Sequence, residues 1–479
     1  MGRKFRPRLP APGEVLYPLD GSPAVESVMS PSGLKLALYA WRVQQPKAVA
    51  LFIHGVQTHA RFEFLRHLNP GEPDLPSPAP PAAAAPAGAA AGAAAQAAPA
   101  AASGTAAAPE AAAKERRGRG KAKAVRPIGR QCLRWCIYEG SWVQQLNRWG
   151  CSVYAGDLQS FGLSEGWKGR RCSVERLDNF AMDVIAFAEF VAADISARPA
   201  TGGSPAPSGD QQPPPIYLVG ISMGGFSVIR ALEIMGETHH WLVREAPTSE
   251  PPNQEAPAGP PRQGPPHSST QGAPVEPPEG APSAALSTGS PSGTLTEAPT
   301  GAPSGAPTGA PSGSSDDIRP RIVGCVALAP MLSIEKASSG AYNRTMTKVG
   351  GVLSRVAPHL GVVKVPPARL PWVDDQKNED PLVTCPLKIP ARLAAEVMAA
   401  VPRVHLNAKF IPVHIALLII HAREDSIVEP QGSIRFMNES GAHIQKRRLD
   451  ILEGERGHYL VIEPGNDEVL AAIKEWLRL

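Results

Sequence analysis

The sequence has no disulfide framework. Its six cysteines, at 132, 136, 151, 172, 325 and 385, show neither paired loops nor zinc-ligand spacing. Cys132 and Cys136 stand close together, but no second pair completes a tetrahedral site. These absences exclude a disulfide-stapled secreted module and a zinc ribbon. The opening Met-Gly-Arg-Lys-Phe-Arg lacks the apolar core of a secretory signal. Position 6 is Arg6, not the Ser or Thr of a myristoylation site. The longest apolar run, 410–420, is too short to span a bilayer and contains His414. A reducing, cytoplasmic compartment is expected. Net charge is small, +4 from 48 Lys+Arg against 44 Asp+Glu, which argues against nucleic acid as a partner. There is no phosphate loop, HExxH pair or EF-hand loop, so no cofactor and no metal is expected.

Proline and glycine, by contrast, are abundant, at 53 and 45, and they crowd into three stretches. These are 71–130, 196–215 and 246–317, the last with repeated Gly-Ala-Pro-Ser and Gly-Ala-Pro-Thr units. Almost no large apolar side chains occur there, so burial cannot offset the entropy of ordering the backbone. They are expected to be disordered insertions. The remainder divides into a core at 21–70, 131–330 and 407–479, with a cap or lid at 331–406. One basic cluster, Lys114 to Arg130, is expected to be a solvated tail. Its functional alternative is attraction to anionic lipid at a membrane surface. It has no aromatic residues for base stacking.

Within the remainder, short apolar runs alternate with helical patterns. Residues 34–43, 48–53, 151–155, 216–219, 322–328, 415–420 and 449–452 read as strands. Their continuous apolar character suits strands covered on both faces. Residues 141–149, 177–193, 226–235 and 467–477 read as helices, with Phe180, Val184, Phe187 and Val191 on one stripe. Strand and helix in alternation predict an α/β fold, a mostly parallel, doubly wound sheet. Ligands bind such sheets at the carboxyl ends of the strands.

Gly220-Ile-Ser222-Met-Gly224-Gly225 lies between the strand at 216–219 and the helix that follows. It is a G-x-S-x-G elbow, a sharp turn that lifts a serine hydroxyl clear of the backbone. Gly220 and Gly224 flank the turn because side chains there would clash with strand or helix. A serine needs a base, and the base needs an orienter. Asp425 and His458 each sit in a loop after a late apolar strand, in the chain order this elbow requires. Glu424 is the rival of Asp425. The backbone N–H groups of Met223 and Val56 are the candidate oxyanion donors. His54 is expected to be structural.

Four blocks together resemble the monoacylglycerol lipase and lysophospholipase group of α/β hydrolases, which includes serine aminopeptidase S33-like members. They are His54 to Phe62, Asp157 to Gly166, the elbow, and the Asp425 and His458 loops. Asp380-Pro-Leu resembles a motif near the end of that group's cap. The resemblance implies the α/β-hydrolase fold, a sheet of about eight strands with a helical cap. It also implies a serine ester hydrolase acting on single-chain lipids. Some positions depart from the pattern. Arg61 comes one position early, Ile221 stands where His is common, and Ser160-Phe161 replace Gly-His. Ala422 replaces a Gly, and Tyr459 stands where Glu is common. Three alternatives remain: a lipid thioesterase; an aminopeptidase using Glu335, Asp374, Asp375 or Glu379 to hold an amine; and an idle scaffold. The 331–406 segment offers helices at 349–356 and 391–401. Val352, Leu353, Val356 and Leu360 there either touch a membrane or pack on the core.

Overall fold

The computed structural model describes residues 16–76, 132–198, 213–238, 321–333, 335, 351–383, 385 and 388–479. The insertions expected at 71–130, 196–215 and 246–317 lie almost entirely outside the described residues, as does the basic cluster. The described residues all belong to one compact unit.

An eight-stranded sheet runs in the order β1-β2-β4-β3-β5-β6-β9-β10. Its strands are β1 (Ala24–Met29), β2 (Lys35–Trp41), β3 (Ala48–Ile53), β4 (Cys151–Gly156), β5 (Ile216–Ile221), β6 (Ile322–Leu328), β9 (Ala416–Ala422) and β10 (Arg447–Leu452). The β1 and β2 pairings are antiparallel, and every pairing from β4 to β10 is parallel. This is the mostly parallel, doubly wound sheet of an α/β hydrolase.

The continuous apolar runs have a direct cause. Along β3, Val49, Leu51 and Ile53 enter one core, while Ala48, Ala50 and Phe52 enter the other. Helices α1 (Ala60–Phe64) and α2 (Trp142–Arg148) contribute to the second core, along with α8 (Asn466–Leu477). Helices α3 (Asp178–Ser196) and α4 (Met223–Glu237) cover the first. The Phe180, Val184, Phe187 and Val191 stripe of α3 is fully buried there. Ser141 caps α2 by accepting from the Gln144 N–H.

The 331–406 segment holds more structure than its helical pattern suggests. A two-stranded antiparallel ribbon, β7 (Gly361–Lys364) with β8 (Lys388–Pro390), brackets α5 (Pro371–Glu379). Helix α6 (Ala391–Asn407) runs through Pro402, well past the expected end near 401. Residues 351–356 are helical. Val352, Val356 and Leu360 are exposed, and Leu353 is half-buried. Helix α7 (Pro430–Arg435) follows β9.

Candidate active site

Residues at four strand ends gather at one edge of the sheet. Ser222 follows β5 and precedes the first residue of α4, with φ 56° and ψ −118°. A non-glycine residue reaches that backbone region only under constraint. The constraint is visible: the Ser222 N–H donates to Leu328 O at 2.8 Å, and the Met331 N–H donates to Ser222 O at 3.0 Å. Both neighbouring glycines are required by close approach. A Cβ on Gly220 would fall 2.4 Å from Gly224 O, and one on Gly224 would fall 2.2 Å from Ile53 O.

His458 lies in the loop after β10, with its Nδ1 2.6 Å from Asp425 Oδ2. Asp425 Oδ1 accepts from the N–H groups of Ile427 and Val428, at 2.8 and 2.9 Å. His421 Nε2 lies 3.3 Å from Asp425 Oδ2. Burial works against the Asp425 charge, but His458 and His421 outweigh it and hold the carboxyl well below the usual carboxylate range. A carboxylate this well supplied accepts the Nδ1 proton of His458, leaving Nε2 with a lone pair. Its rival Glu424 is exposed.

Ser222 and His458 line one cleft, together with Val56, Glu63, Lys377 and Tyr459. The loop after β3 packs against the nucleophile: a Cβ on Gly55 would lie 3.2 Å from Ser222 Cβ. Among the described residues, the Val56 N–H has no hydrogen-bond partner. The Met223 N–H is the first of α4, where helix geometry supplies no acceptor. Both candidate oxyanion donors are therefore uncommitted. His54 is structural: its Nδ1 bonds Gly55 O at 2.7 Å, and its Nε2 accepts from the Leu158 N–H at 3.0 Å. Burial pulls its pKa down to about 4, which keeps it neutral.

Several departures from the family pattern now have physical reasons. Arg61, one position early, is buried between the rings of Tyr17 and Tyr39 at 4.4 and 4.5 Å and pairs with Asp20 at 3.0 Å. Ser160 has φ 72°, a conformation natural to the glycine it replaces. Its hydroxyl donates to Ser173 O and accepts from the Trp167 N–H.

Asp380 was noted only as part of a motif, yet it is the hub between cap and core. It accepts from Tyr17 Oη at 2.8 Å, Trp135 Nε1 at 2.6 Å and the Leu382 N–H at 2.8 Å, and lies 3.2 Å from His59 Nε2. His59, Cys136 and Asp380 bring ligand-type atoms within 4.8 Å of one another. Their bonding is that of a hydrogen-bond hub. The Phe62 N–H donates to His59 Nδ1, which leaves the ring proton on Nε2. Burial and Asp380 push the Cys136 thiol up, away from the thiolate a metal needs.

Glu63 and Lys377 of the cleft were not picked out from sequence. Lys377 comes from α5 and Glu63 from α1, and only the folded chain brings them together. None of the carboxylates proposed to hold an amine lines the cleft, although Asp374 acts on Lys377 from nearby. Glu335 pairs with Arg435 at 3.0 Å, and Asp374 accepts from the Ala368 N–H at 2.8 Å. Asp375 and Glu379 are exposed. No helix among the described residues is long and apolar enough to cross a membrane.

The family described as "Serine aminopeptidase, S33" matches residues 136–263 and 314–464, more than half of the chain. Among solved structures, a thermostable carboxyl esterase from Bacillus coagulans is similar with TM-score 0.51 and 10% identity, covering 95% of this chain and 97% of that one. A monoacylglycerol lipase from Paleococcus ferrophilus has TM-score 0.45 and 16% identity, covering 92% and 98%. A soluble variant of monoglyceride lipase from Saccharomyces cerevisiae has TM-score 0.48 and 12% identity, covering 95% and 94%. No curated protein matches the chain.

Proposed function

The chain belongs to the serine aminopeptidase S33 family, and from that premise we propose that it is a serine carboxylic-ester hydrolase. Its substrates are single-chain lipids, monoacylglycerol or lysophospholipid. The observation that carries this reading is the 2.6 Å bond from His458 to Asp425, with His458 in the same cleft as the strained Ser222.

The geometry supports the following course. Ser222 Oγ attacks the ester carbonyl carbon while His458 Nε2 takes its proton. The negative charge that develops on the carbonyl oxygen is met by the N–H groups of Val56 and Met223. Collapse of the adduct breaks the ester bond, and His458 returns the proton to the departing alcohol. Water, deprotonated by His458, then attacks the acyl-enzyme and releases the fatty acid. Asp425 stays ionised throughout and supports the imidazolium. A thioester would follow the same course with a thiol leaving group.

The aminopeptidase alternative draws less support. None of the four carboxylates considered for the amine lines the cleft, and Glu63, which does, sits beside Lys377.

The test is turnover of monoacylglycerol, lysophosphatidylcholine and triacylglycerol by the purified chain, with intact mass to detect acylated Ser222. Fatty-acid release from a single-chain substrate is expected. Turnover confined to aminoacyl amides would overturn the reading. The exposed Val352, Val356 and Leu360 on the cap suit contact with a lipid surface. Co-sedimentation with anionic vesicles is expected, weakened when all three are changed to Ser; undiminished binding by that variant would exclude this face.

A further inference from the structure

Lys377 is more than nine-tenths buried, as are Glu63 and Tyr459, and all three line the cleft that holds Ser222. An ammonium has three N–H donors and no acceptor. One donates to Tyr459 Oη at 3.0 Å. Among the described residues the other two have no hydrogen-bond partner. Burial alone would lower its pKa, but Tyr459, Glu63 and Asp374 outweigh it, so the amine stays charged. Burying a charge with donors unused is costly unless a ligand supplies acceptors.

We infer that Lys377 and Glu63 form a subsite for a neutral, hydroxyl-bearing alcohol portion of the ester. This rests on the ester-hydrolase reading and names what lies beyond its scissile bond. A hydroxyl both donates and accepts, and the pair offers one group of each kind. An alkyl alcohol would leave the Lys377 donors unused. A phosphate only accepts, so it offers no donor to the Glu63 side chain, whose charge burial already disfavours. Tyr459 aids the subsite by fixing the Lys377 head, and it connects this wall to the adjacent His458.

The test compares a glycerol monoester, a methyl ester and a glycerol-phosphate monoester of one fatty acid. Wild type, Lys377→Met and Glu63→Gln are assayed as full-length chains, with thermal melts to show that each is folded. The readout is the ratio of kcat/KM on the glycerol ester to that on the methyl ester. Wild type should favour the glycerol ester, and each variant should lower the ratio about tenfold or more, mainly through KM. An equal loss on both esters would make Lys377 merely structural and overturn the subsite. So would a loss confined to the phosphate-bearing ester, which would mean anion recognition. If wild type hydrolyses none of the three, the ester-hydrolase reading falls and the subsite falls with it. Turnover of all three with an unchanged ratio removes the subsite alone.

Discussion

Asp183 shows how a single buried side chain ties this fold to pH. It lies in α3 and accepts from the backbone N–H and Nε2 of Gln159. Burial raises its pKa from 3.8 to about 7, against the pull of those bonds. Between those two values the folded state keeps a proton that the unfolded state has lost, so this group lowers stability as pH rises through that window. His54 acts in the opposite sense. Its pKa, lowered by burial from 6.5 to about 4, means that the unfolded chain binds more protons in that range and stability rises with pH. An Asp183→Asn variant isolates the first effect. Relative to wild type it should gain stability from about pH 4 to about pH 7 and level off above that, measured by urea unfolding. A difference independent of pH would show that Asp183 is already ionised in the folded state.

At this same scale, Ser222, Asp425 and His458 were legible because each is tied to a local pattern: an elbow, or a polar loop after an apolar strand. Lys377 and Glu63 were not. They sit on short helices, and neither residue has a local signal. Their meaning comes from contacts across hundreds of positions, which no spacing rule reads.

Among the elements, the buried parallel strands were the most legible, since two cores impose a continuous apolar run. β1 escaped for the converse reason. It is an edge strand, with Val25 and Met29 exposed, and shows no such run. The β7–β8 ribbon escaped because its strands are only four and three residues long. Helix α5 matters beyond its length, because Lys377 enters the cleft from it and Asp380 follows at its C-terminal end. Asp380→Ala would strand the buried donors of Tyr17, Trp135 and His59 at once. A loss of about 3–5 kcal/mol in unfolding free energy is expected by chemical denaturation. A loss below about 1 kcal/mol would mean that the cap is held by other contacts.

For the whole molecule, the sheet order and the gathering of strand ends decide where chemistry can occur. The family pattern is interrupted between 263 and 314, where the chain runs in Pro/Gly-rich repeats. Deleting 264–313 should leave kcat within about twofold, because the segment lies outside the family pattern and the length of a connection changes its closure entropy only slowly. A large fall in kcat for a folded deletion variant would give that segment a part in the site.

The central claim is that Ser222 hydrolyses the ester of a single-chain lipid. Fatty-acid release from monoacylglycerol by the purified chain, beside Ser222→Ala, tests it most directly. The account predicts turnover by wild type and a loss of about a thousandfold or more in a variant that melts like wild type. Equal turnover by the two proteins would contradict it.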